Sequence, residues 1–498
     1  MPIPSLIRQC AVIVAMMLAV GTGIAAPAAA SATRPVAAYV PGKVVVGFRT
    51  LPSAALEAAI AARSGARLDS STEPGTALLD VPARESLASA LARLRAQPDV
   101  AYAVPDYIAH ATGFFIPNDR GRGGAATDWR ALQWNFLSAD GVGAPVAWSH
   151  LRHDQAPGGR GVTVAILDTG VAYTNWTDPR THVHFARSPD FGQTRFSHPC
   201  DLIRGGFSAG PNATITSKSR CSFSQAVDRN GHGTFVAGVV GESTNNRIGV
   251  TGLAYGVTIM PVRVLDAAGD GDSVTIAHGI RYAVTHGARV INLSLEFDLS
   301  VTADQIPNVI DAINFAYHHG VVVVAAAGND SADQLAYPAA DSQVVSVGAT
   351  TRDRCVALYS NTGPGLSLVA PGGGDDSAVT GGSNCHPGWS LPDLYQMTLL
   401  DPTHPSRFGL PDGWYGTSMA APHVAATAAL VIASGVLGPH PTPAQLLARL
   451  ESTASPLGPS PRPNQIYGYG LLNAAAATAG ASKTAHLHHQ PPKRHTSA

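Results

Sequence analysis

Largely apolar runs that alternate with helical stretches leave this chain few folds to adopt. The apolar runs span residues 162–167, 259–264, 290–293, 321–326 and 344–347. Helical stretches such as 273–286 and 307–319 lie between them. A strand that is apolar on both faces is typical of a parallel sheet that helices cover on both sides. The alternation therefore predicts a doubly wound α/β domain with a mostly parallel sheet.

A stretch of small residues, 416–426, presents the hydroxyl group of Ser418 just before an apolar run at 424–432 that is typical of a buried helix. At the N-terminus of a helix, backbone N–H groups and the helix dipole favour negative charge, which suits a serine that attacks as an alkoxide. A serine at a loop-to-helix junction more often only caps the helix. This stretch alone leaves both interpretations open.

Two further stretches favour catalysis. Asp168 directly follows the apolar run 162–167, at the carboxyl end of the predicted strand. Ligands of an open parallel sheet bind outside the carboxyl ends of its strands. His232 lies between two glycines at the start of a small-residue helix, where neighbouring backbone can approach closely. Alone, an acid at a strand end is usually a cap, and a histidine is more often structural or a metal ligand. Together, in the order Asp168, His232, Ser418, the three predict a nucleophilic serine site.

The first 32 residues have the pattern of a secretory signal peptide. Arg8 precedes an apolar run at 11–20, and small residues at 28–30 offer a cleavage site, with cleavage after Ala32 equally readable. The run is short and Gly and Pro follow it, so a helix retained as a membrane anchor is the disfavoured alternative. We therefore expect a secreted protein, extracellular or periplasmic, with no stable membrane anchor.

Four cysteines remain once Cys10 is removed with the signal peptide. An even number of cysteines in a secreted protein favours disulfides over free thiols. Four cysteines allow three connectivities. We favour Cys200–Cys221 and Cys355–Cys385, since each pair brackets one loop rich in Gly, Ser, Asn or Pro. A zinc site is the alternative, which the sequence does not support with close Cys-x-x-Cys or Cys-x-x-His spacing.

The rest of the chain divides into three parts. Residues 36–112 show strand and helix patterns in the order β-α-β-α-β, which predicts a small two-layer α+β unit. Residues 113–480 carry the doubly wound domain and begin with a Gly- and Arg-rich linker that reaches residue 124. The tail, 481–498, is rich in His, Lys and Pro and is predicted to be disordered, with metal binding as a disfavoured alternative. With a net charge of −1 and no long basic run before the tail, no nucleic-acid partner is expected.

The three motifs resemble the signature of the subtilisin family of serine proteases, the subtilases. Asp-Thr-Gly at 168–170, Gly-His-Gly-Thr at 231–234 and Gly-Thr-Ser-Met-Ala-x-Pro at 416–422 are all intact. The resemblance implies that Ser418 is the nucleophile, that His232 takes and later returns its proton, and that Asp168 orients His232. The stretch 321–330 resembles the oxyanion segment of the family, so Asn329 is expected to donate its amide to the oxyanion beside the N–H of Ser418.

By the same resemblance, the unit at 36–112 is a ferredoxin-like propeptide that assists folding and fills the active site until it is cut. Cleavage is expected between His110 and Gly124. The full-length chain is then a self-processed zymogen with its own propeptide as an intramolecular inhibitor. The expected substrates are proteins or peptides, and the expected state is a monomer.

Substrates of this family add an extended strand beside exposed main chain. The matching segments imply contacts from Gly269, Gly271, Ser294, Leu295, Glu296 and Gly328. Glu296 departs from the family pattern, which has glycine after the Ser-Leu pair, and Asp270 and Asp272 add acid nearby. These carboxylates either favour basic or polar substrate side chains and narrow the pocket, or they point to solvent.

Calcium is the expected structural cofactor, because residues 244–250 resemble the strong calcium loop of the family, in which oxygen atoms bind the ion. The expected ligands are Asp119, Asp190, Thr244, Asn246, Ile248 and Val250. An insertion before Asp190 leaves its alignment open, and Asp119 reads equally well as an exposed acid of the linker.

The sequence as a whole predicts a secreted, calcium-stabilised serine endopeptidase. One rival is an inactive binding protein of the same fold, which the four filled catalytic positions disfavour. The other is a lipase or esterase, which requires Gly-x-Ser-x-Gly and the order Ser, Asp, His. Here Ala420 replaces the second glycine, and the order is Asp, His, Ser.

Overall fold

The computed structural model describes residues 39–107, 115–203, 221, 226–378, 384–458 and 461–480 of the 498-residue chain. The signal peptide predicted at 1–32 and the tail predicted at 481–498 lie outside these residues, as does the stretch 108–114, in which part of the expected cleavage region falls.

The N-terminal unit is a four-stranded antiparallel sheet with two helices. Its elements are β1 (Tyr39–Phe48), α1 (Ala54–Arg63), β2 (Arg67–Glu73), β3 (Thr76–Asp80), α2 (Leu87–Arg95) and β4 (Val100–Tyr107). The strand order β2-β3-β1-β4 is that of a ferredoxin-like fold, which confirms this part of the predicted fold class. The sequence pattern missed β2, because that strand is polar and lacks the alternation of a half-buried strand.

Both helices of this unit begin at a serine. Ser53 caps α1 and Ser86 caps α2, each by accepting a hydrogen bond from the backbone N–H three residues further on (3.3 and 3.2 Å). Fully buried Ile60 and Leu94 bring the apolar faces of the two helices into one core with Val44 of β1. The unit therefore has a hydrophobic core of its own.

The second unit is built on a parallel sheet. In chain order its strands are β5 (Thr163–Asp168), β6 (Trp176–Thr177), β7 (His184–Phe185), β8 (Arg195–Phe196), β9 (Cys200–Asp201), β10 (Thr258–Arg263), β11 (Val290–Leu293), β12 (Val322–Ala326), β13 (Val344–Thr350), β14 (Leu368–Pro371), β15 (Thr398–Leu399) and β16 (Phe408–Gly409). The main sheet has the order β14-β13-β12-β11-β5-β10-β8, with β9 also paired to β10, and every pairing in it is parallel. Two short antiparallel pairs, β6 with β7 and β15 with β16, lie outside it.

Helices cover both faces of this sheet. They are α3 (Trp129–Leu132), α4 (Ala144–His153), α5 (His232–Gly241), α6 (Ser273–Thr285), α7 (Pro307–His318), α8 (Thr417–Ser434), α9 (Pro443–Thr453) and α10 (Ala474–Thr478). On β5, Val164 and Ile166 belong to the core that contains α5 and α8, whereas Ala165 and Leu167 belong to the core that contains α6 and α7. A strand buried on both faces must be apolar at successive positions, which confirms the predicted doubly wound domain.

The helix α8 lies within the core, and every residue in it except Ser418 is buried. Within the described ranges it alone has the length and hydropathy of a membrane span, and 94% of it is buried inside the domain. This burial identifies α8 as a core helix.

At β5 the order of the strands reverses: the chain first adds strands on one side of β5 and then on the other side. From β5 the chain places β8, β9 and β10 on one side, and α6 then leads it to β11 on the other side. Crossovers of opposite direction leave a crevice outside the carboxyl ends of the strands, where ligands of such sheets bind. Asp168, the last residue of β5, lies at this crevice.

Two disulfides lie in the second unit. Cys200 is bonded to Cys221 and Cys355 to Cys385, with sequence separations of 21 and 30 residues. These are the two pairs that the sequence analysis favoured over the other connectivities.

Candidate active site

Asp168 and His232 are joined at the carboxyl end of the sheet. Asp168 is fully buried, and its Oδ1 accepts hydrogen bonds from His232 Nδ1 (2.7 Å) and from the backbone N–H of Thr169 (2.7 Å). A proton held on Nδ1 by the carboxylate leaves Nε2 as the nitrogen that can accept another proton.

A second buried acid, Asp228, holds the turn that leads into α5. Its carboxylate accepts five hydrogen bonds, from the backbone N–H groups of Asn230, Gly231 and Thr234 and from the hydroxyl groups of Thr169 and Thr234. Gly231 has a φ of +107°, which favours glycine, and the chain enters the helix at the next residue, His232. The turn therefore sets the position of His232 relative to Asp168.

The surroundings of His232 act on its pKa in opposite directions. Burial lowers the pKa, whereas the charge of Asp168, its hydrogen bond and the charge of Asp228 raise it, and the net pKa lies above the ordinary value of 6.5. A raised pKa makes the neutral imidazole a stronger base, which suits the removal of a proton from a hydroxyl group.

Ser418 is held at the start of α8 by contacts on both sides. Gly416, with a φ of +147°, donates its N–H to the carbonyl of Gly372 and to the hydroxyl of Tyr359 (3.0 Å each). The Ser418 hydroxyl donates to the carbonyl of Ser294 (3.3 Å), and Ser294 Oγ donates in return to the Ser418 carbonyl (2.7 Å). Ser294 directly follows β11, so the end of that strand fixes the first turn of the helix.

Ser418 and His232 line one cavity of about 350 Å³. The other lining residues are Thr169, Asn230, Leu265, 268–271, Ile276 and 294–297. No hydrogen bond joins Ser418 to His232 in the part of the chain that the structure describes, because the hydroxyl bonds to Ser294 instead. Hydrogen bonds of this kind are often long in free enzymes and shorten when substrate binds. The fold nevertheless brings Asp168, His232 and Ser418 to one site.

Asn329 lies beside Ser418, but its amide already has partners. Its Oδ1 accepts hydrogen bonds from the N–H (2.9 Å) and the hydroxyl (3.0 Å) of Thr417, the residue before Ser418. Its Nδ2 donates to Glu296 Oε1 (3.3 Å), and its backbone N–H donates to Glu296 Oε2 (3.2 Å). The expected oxyanion donor is thus held between the first residue of α8 and a carboxylate.

The predicted substrate-binding residues fall into two groups. Those that line the cavity are Gly269, Gly271, Ser294, Leu295 and Glu296. Gly328 instead lies against Glu296 and Asn361, since a Cβ placed on it would come within 2.5 Å of the Glu296 carboxylate and 2.1 Å of Asn361 Nδ2. Of the two nearby acids, Asp270 lines the cavity, whereas Asp272 caps the N-terminus of α6.

A second histidine on α8, His423, belongs to the core. It is fully buried, its Nε2 accepts a hydrogen bond from Asn135 Nδ2 (2.8 Å), and its Nδ1 donates to the Met419 carbonyl (2.9 Å). Burial lowers the pKa of His423 to about 4 although the bond to Met419 raises it. An enclosed neutral imidazole serves packing, so His232 is the candidate base.

Three buried carboxylates, Asp119, Asp190 and Glu242, gather near the loop 244–250. Asp119 accepts a hydrogen bond from the Asn246 N–H (2.9 Å), and Asp190 accepts one from the Asn246 side-chain amide (2.7 Å). Glu242 Oε2 has no hydrogen-bond partner among the described residues. Burial raises the pKa of all three, and repulsion between the carboxylates raises those of Asp190 and Glu242 further. Such a cluster gains stability from a cation.

The remaining predicted calcium ligands, Thr244, Ile248 and Val250, belong to the same loop. The N–H of Val250 donates to Asp190 Oδ2 (3.0 Å), and the N–H of Ile248 donates to Asn246 Oδ1 (2.7 Å). The interpretation of Asp119 as an exposed linker acid is wrong, because Asp119 is fully buried.

The sequence analysis did not anticipate a further group of possible metal ligands. Asp353, Asp376 and His386 each place one ligand atom within 4.8 Å of the others. They already bind one another, since His386 Nδ1 donates to Asp353 Oδ2 (3.1 Å) and its backbone N–H donates to Asp376 Oδ2 (2.7 Å). Together with the disulfide Cys355–Cys385, these bonds join the segment that holds Asp353 to Asp376 and His386.

Two positioning residues were also missed. Asp228 stands just before an Asn-Gly pair and a helix, where an aspartate typically accepts backbone hydrogen bonds, so a local signal for it exists. The contact of Thr417 with Asn329 has no such signal, because it depends on the meeting of α8 with the end of β12, 88 residues away in sequence.

Comparison with known proteins gives matches over both units. The family described as the subtilase family matches residues 159–470, and the family described as the fervidolysin N-terminal prodomain matches residues 25–106. The first match contains Asp168, His232, Asn329 and Ser418.

Individual proteins that are similar to this chain are named as subtilisins or proteases. Subtilisin Savinase from Lederbergia lenta is 35% identical over 338 residues, which are 68% of this chain and 96% of that protein. Subtilisin E from Bacillus subtilis strain 168 is 31% identical over 394 residues, 78% of each chain. Among solved structures, a protease from Pseudoalteromonas arctica PAMC 21717 has a TM-score of 0.55 at 29% identity and covers 73% of this chain and 99% of that one.

Proposed function

The chain belongs to the subtilase family and is a serine endopeptidase, and we propose that it cuts peptide bonds with a triad of Asp168, His232 and Ser418. The observation that carries this proposal is the 2.7 Å hydrogen bond between Asp168 and His232 at a cavity that Ser418 also lines. A buried acid, a histidine of raised pKa and a hydroxyl at a helix N-terminus are the groups that acyl transfer to serine requires.

In the first half of the reaction, His232 Nε2 takes the proton of the Ser418 hydroxyl as Oγ attacks the carbonyl carbon of the substrate. Asp168 keeps the other proton on Nδ1 and stabilises the imidazolium that forms. The imidazolium then protonates the leaving amine, and an acyl-enzyme remains. In the second half, the same imidazole takes a proton from the water that attacks the ester, and it returns this proton to Ser418 Oγ as the acid leaves.

The oxyanion that forms during each attack needs hydrogen-bond donors. We assign this role to the backbone N–H of Ser418 and the side-chain amide of Asn329. The support is positional, because the Thr417 backbone and hydroxyl hold the Asn329 side chain directly beside the nucleophile. Loss of one such donor typically costs about 2.7–4 kcal/mol of transition-state stabilisation.

The substrate is proposed to be an extended peptide that lies between two segments. Gly269 and Gly271 line the cavity from the segment that follows β10, and Ser294, Leu295 and Glu296 line it from the segment that follows β11. Glycines leave main-chain groups open to a strand that pairs beside them. The acids of the cleft, Glu296 above all, favour basic or polar side chains in that peptide.

The chain carries an N-terminal prodomain. We propose that residues 36–112 form a propeptide that inhibits the catalytic unit, 113–480, until the enzyme cuts it away. The prodomain match and a separate hydrophobic core support an independent role for this unit. The signal pattern at 1–32 supports secretion, after which the chain acts as a monomer, and the tail 481–498 has no proposed role.

Subtilases commonly bind calcium, and we propose that this chain holds the ion with Asp119, Asp190 and the loop 244–250. The buried carboxylates fit a cation, because the charge of Asp119 raises the pKa of Asp190, both charges raise the pKa of Glu242, and Glu242 Oε2 lacks a partner within the described ranges. When bound, calcium would supply positive charge that stabilises the loop. It takes no part in the proton transfers.

Labelling with a serine-directed fluorophosphonate tests the proposal. Wild-type enzyme should react and should hydrolyse casein, whereas Ser418→Ala should do neither. Ser300→Ala, which removes an exposed hydroxyl outside the cavity, is the matched control and should behave as wild type. Labelling of Ser418→Ala at the wild-type rate would contradict the assignment of the nucleophile.

A further inference from the structure

Glu296 bridges the ends of two neighbouring parallel strands. It follows β11, and Asn329 follows β12. One carboxylate oxygen accepts the Asn329 backbone N–H (3.2 Å), and the other accepts the Asn329 side-chain amide (3.3 Å). The carboxylate therefore lies across the gap between the strand ends, beside the residue assigned to the oxyanion.

The backbone beneath this bridge leaves room for nothing larger than glycine. Gly328 has a φ of +115°, and a Cβ added there would meet Glu296 Oε2 at 2.5 Å. The carboxylate thus occupies the space above Gly328, one of the residues that the family resemblance predicts to contact the substrate, and it lines the cavity itself. A substrate side chain that enters this pocket must contact or displace Glu296.

Among the residues that the structure describes, the charge of Glu296 has no cationic partner. None of the ion pairs in the described residues includes Glu296. Burial and the nearby negative charge of Asp330 raise the pKa of Glu296, and the two hydrogen bonds from Asn329 lower it. The carboxylate lines the cavity with no cationic partner among the described residues, so a positive group in the pocket would pair with it.

This charge acts on the reaction as well as on binding. The Asn329 amide donates to Glu296 in the free chain, although the oxyanion needs the same amide. A negative carboxylate beside that amide also repels the negative oxygen as it forms. Both effects weaken the donor for as long as Glu296 stays unpaired.

We propose that Glu296 is a specificity-determining residue that couples the charge of the substrate to the oxyanion donor. A cationic side chain before the scissile bond, from arginine or lysine, pairs with the Glu296 carboxylate and frees the Asn329 amide for the oxyanion. A neutral side chain leaves the amide bound to Glu296. The inference rests on the proposed role of Asn329. It predicts that substrates with a basic residue before the cut have a higher kcat and not only a lower KM.

Two substrates of nearly equal shape test this coupling. Peptide p-nitroanilides with arginine or citrulline before the cut differ in charge but hardly in size. The concentration of active sites in the mature wild-type enzyme is first determined by fluorophosphonate titration. The assay is then run at alkaline pH, where carboxylates are ionised. The wild-type enzyme should turn over the arginine peptide with the higher kcat. Glu296→Gln should raise kcat for citrulline about tenfold, which is below the 10²–10³-fold effect of losing a donor outright. The arginine-to-citrulline ratio should then approach one.

Two variants sharpen the result. Asp298→Asn removes one negative charge from the same loop without touching Asn329, since Asp298 bonds to Ser300, and it should keep the wild-type ratio. In an Asn329→Ala background, Glu296→Gln should no longer raise kcat for citrulline, because the donor that it would release is gone.

The outcomes separate this inference from the proposed function. An unchanged kcat ratio in Glu296→Gln, or a change confined to KM, overturns the coupling while the triad stands. An equal gain for citrulline in the Asn329→Ala background also overturns it, because the effect would then bypass the amide. A wild-type enzyme that hydrolyses no peptide, or a Ser418→Ala variant that still does, would instead refute the proposed function.

Discussion

Asp168 determines the basicity of His232. Burial lowers the pKa of His232, but the buried charge and hydrogen bond of Asp168, together with the charge of Asp228, raise it above 6.5. Below that pKa the protonated imidazole cannot take the proton of Ser418, and above it the neutral imidazole can. Activity should therefore rise with pH through a value above 6.5.

Asp168→Asn tests this dependence, because it removes the charge and keeps the size of the side chain. Burial then dominates, so the pKa of His232 should fall and the acidic limb of kcat/KM should move to lower pH. The amide also cannot hold the proton on Nδ1, and kcat should drop about 10⁴-fold, as is typical of such triads.

The measurement is a pH–rate profile with one peptide p-nitroanilide. Asp311→Asn, an exposed acid on α7, serves as the control and should leave both the rate and the limb in place. An acidic limb that does not move in Asp168→Asn would show that another group controls the profile.

At the scale of residues, local motifs reveal some of the site and conceal the rest. Asp168, His232 and Ser418 each stand in a short run of small residues that can be read without knowledge of the fold. The bond between Glu296 and Asn329 joins residues 33 apart and depends on how far the ends of β11 and β12 lie from each other. No local pattern encodes that distance.

Among the elements, the loop 244–250 depends most on charges brought from elsewhere. Asp119 lies near the start of the second unit, and Asp190 lies in a short helix at 189–191. Both side chains reach the loop through its backbone or through Asn246. The loop is thus a meeting point of three distant segments, and a cation that offsets their charge should stabilise all of them.

Removal of calcium should therefore lower the melting temperature. A ligand at a hundred times its Kd stabilises by about 2.7 kcal/mol, which in a domain of this size corresponds to roughly 3–4 °C. Scanning calorimetry with and without a chelator measures the shift, and added calcium should restore the higher value. In Asp190→Asn the chelator should have little further effect. A wild-type melting temperature that does not change when the chelator is added would show that calcium is not bound at the loop 244–250.

Pro422 explains why the start of α8 differs from the prediction. The sequence analysis began the helix at residue 424, whereas α8 begins at Thr417 and contains Pro422. Proline has no N–H to donate to the carbonyl four residues earlier, which here belongs to Ser418. The Ser294 hydroxyl donates to that carbonyl instead (2.7 Å). This substitute comes from another element, so the helical pattern alone could not show it.

For the whole molecule, the alternation of strands and helices was enough to predict the sheet and the edge at which the site lies. Apolar patterning decides which segments are buried on both faces, and the crossover rule then locates the crevice. The sequence analysis did not predict the strand β2, because its residues are mostly polar and lack an apolar pattern.

Self-processing belongs to this scale, since it needs both units of the chain. Full-length Ser418→Ala, purified alone, should stay uncleaved, whereas wild type should give a mature enzyme whose first residue lies between His110 and Gly124. N-terminal sequencing and intact mass provide the measurement. Ser300→Ala is again the control and should mature normally. Release of the same fragment from pure Ser418→Ala would mean that another protease performs the cut.

The burial of α8 links two properties that protein engineers usually try to adjust separately. Ser418 occupies the first turn of a helix whose other residues are all enclosed by the domain. A change in the packing anywhere along this helix is transmitted to the hydroxyl group as a shift in position. Gains in heat resistance without loss of turnover should therefore come from surface positions remote from this helix, such as the exposed side of α7, which packs on the opposite face of the sheet.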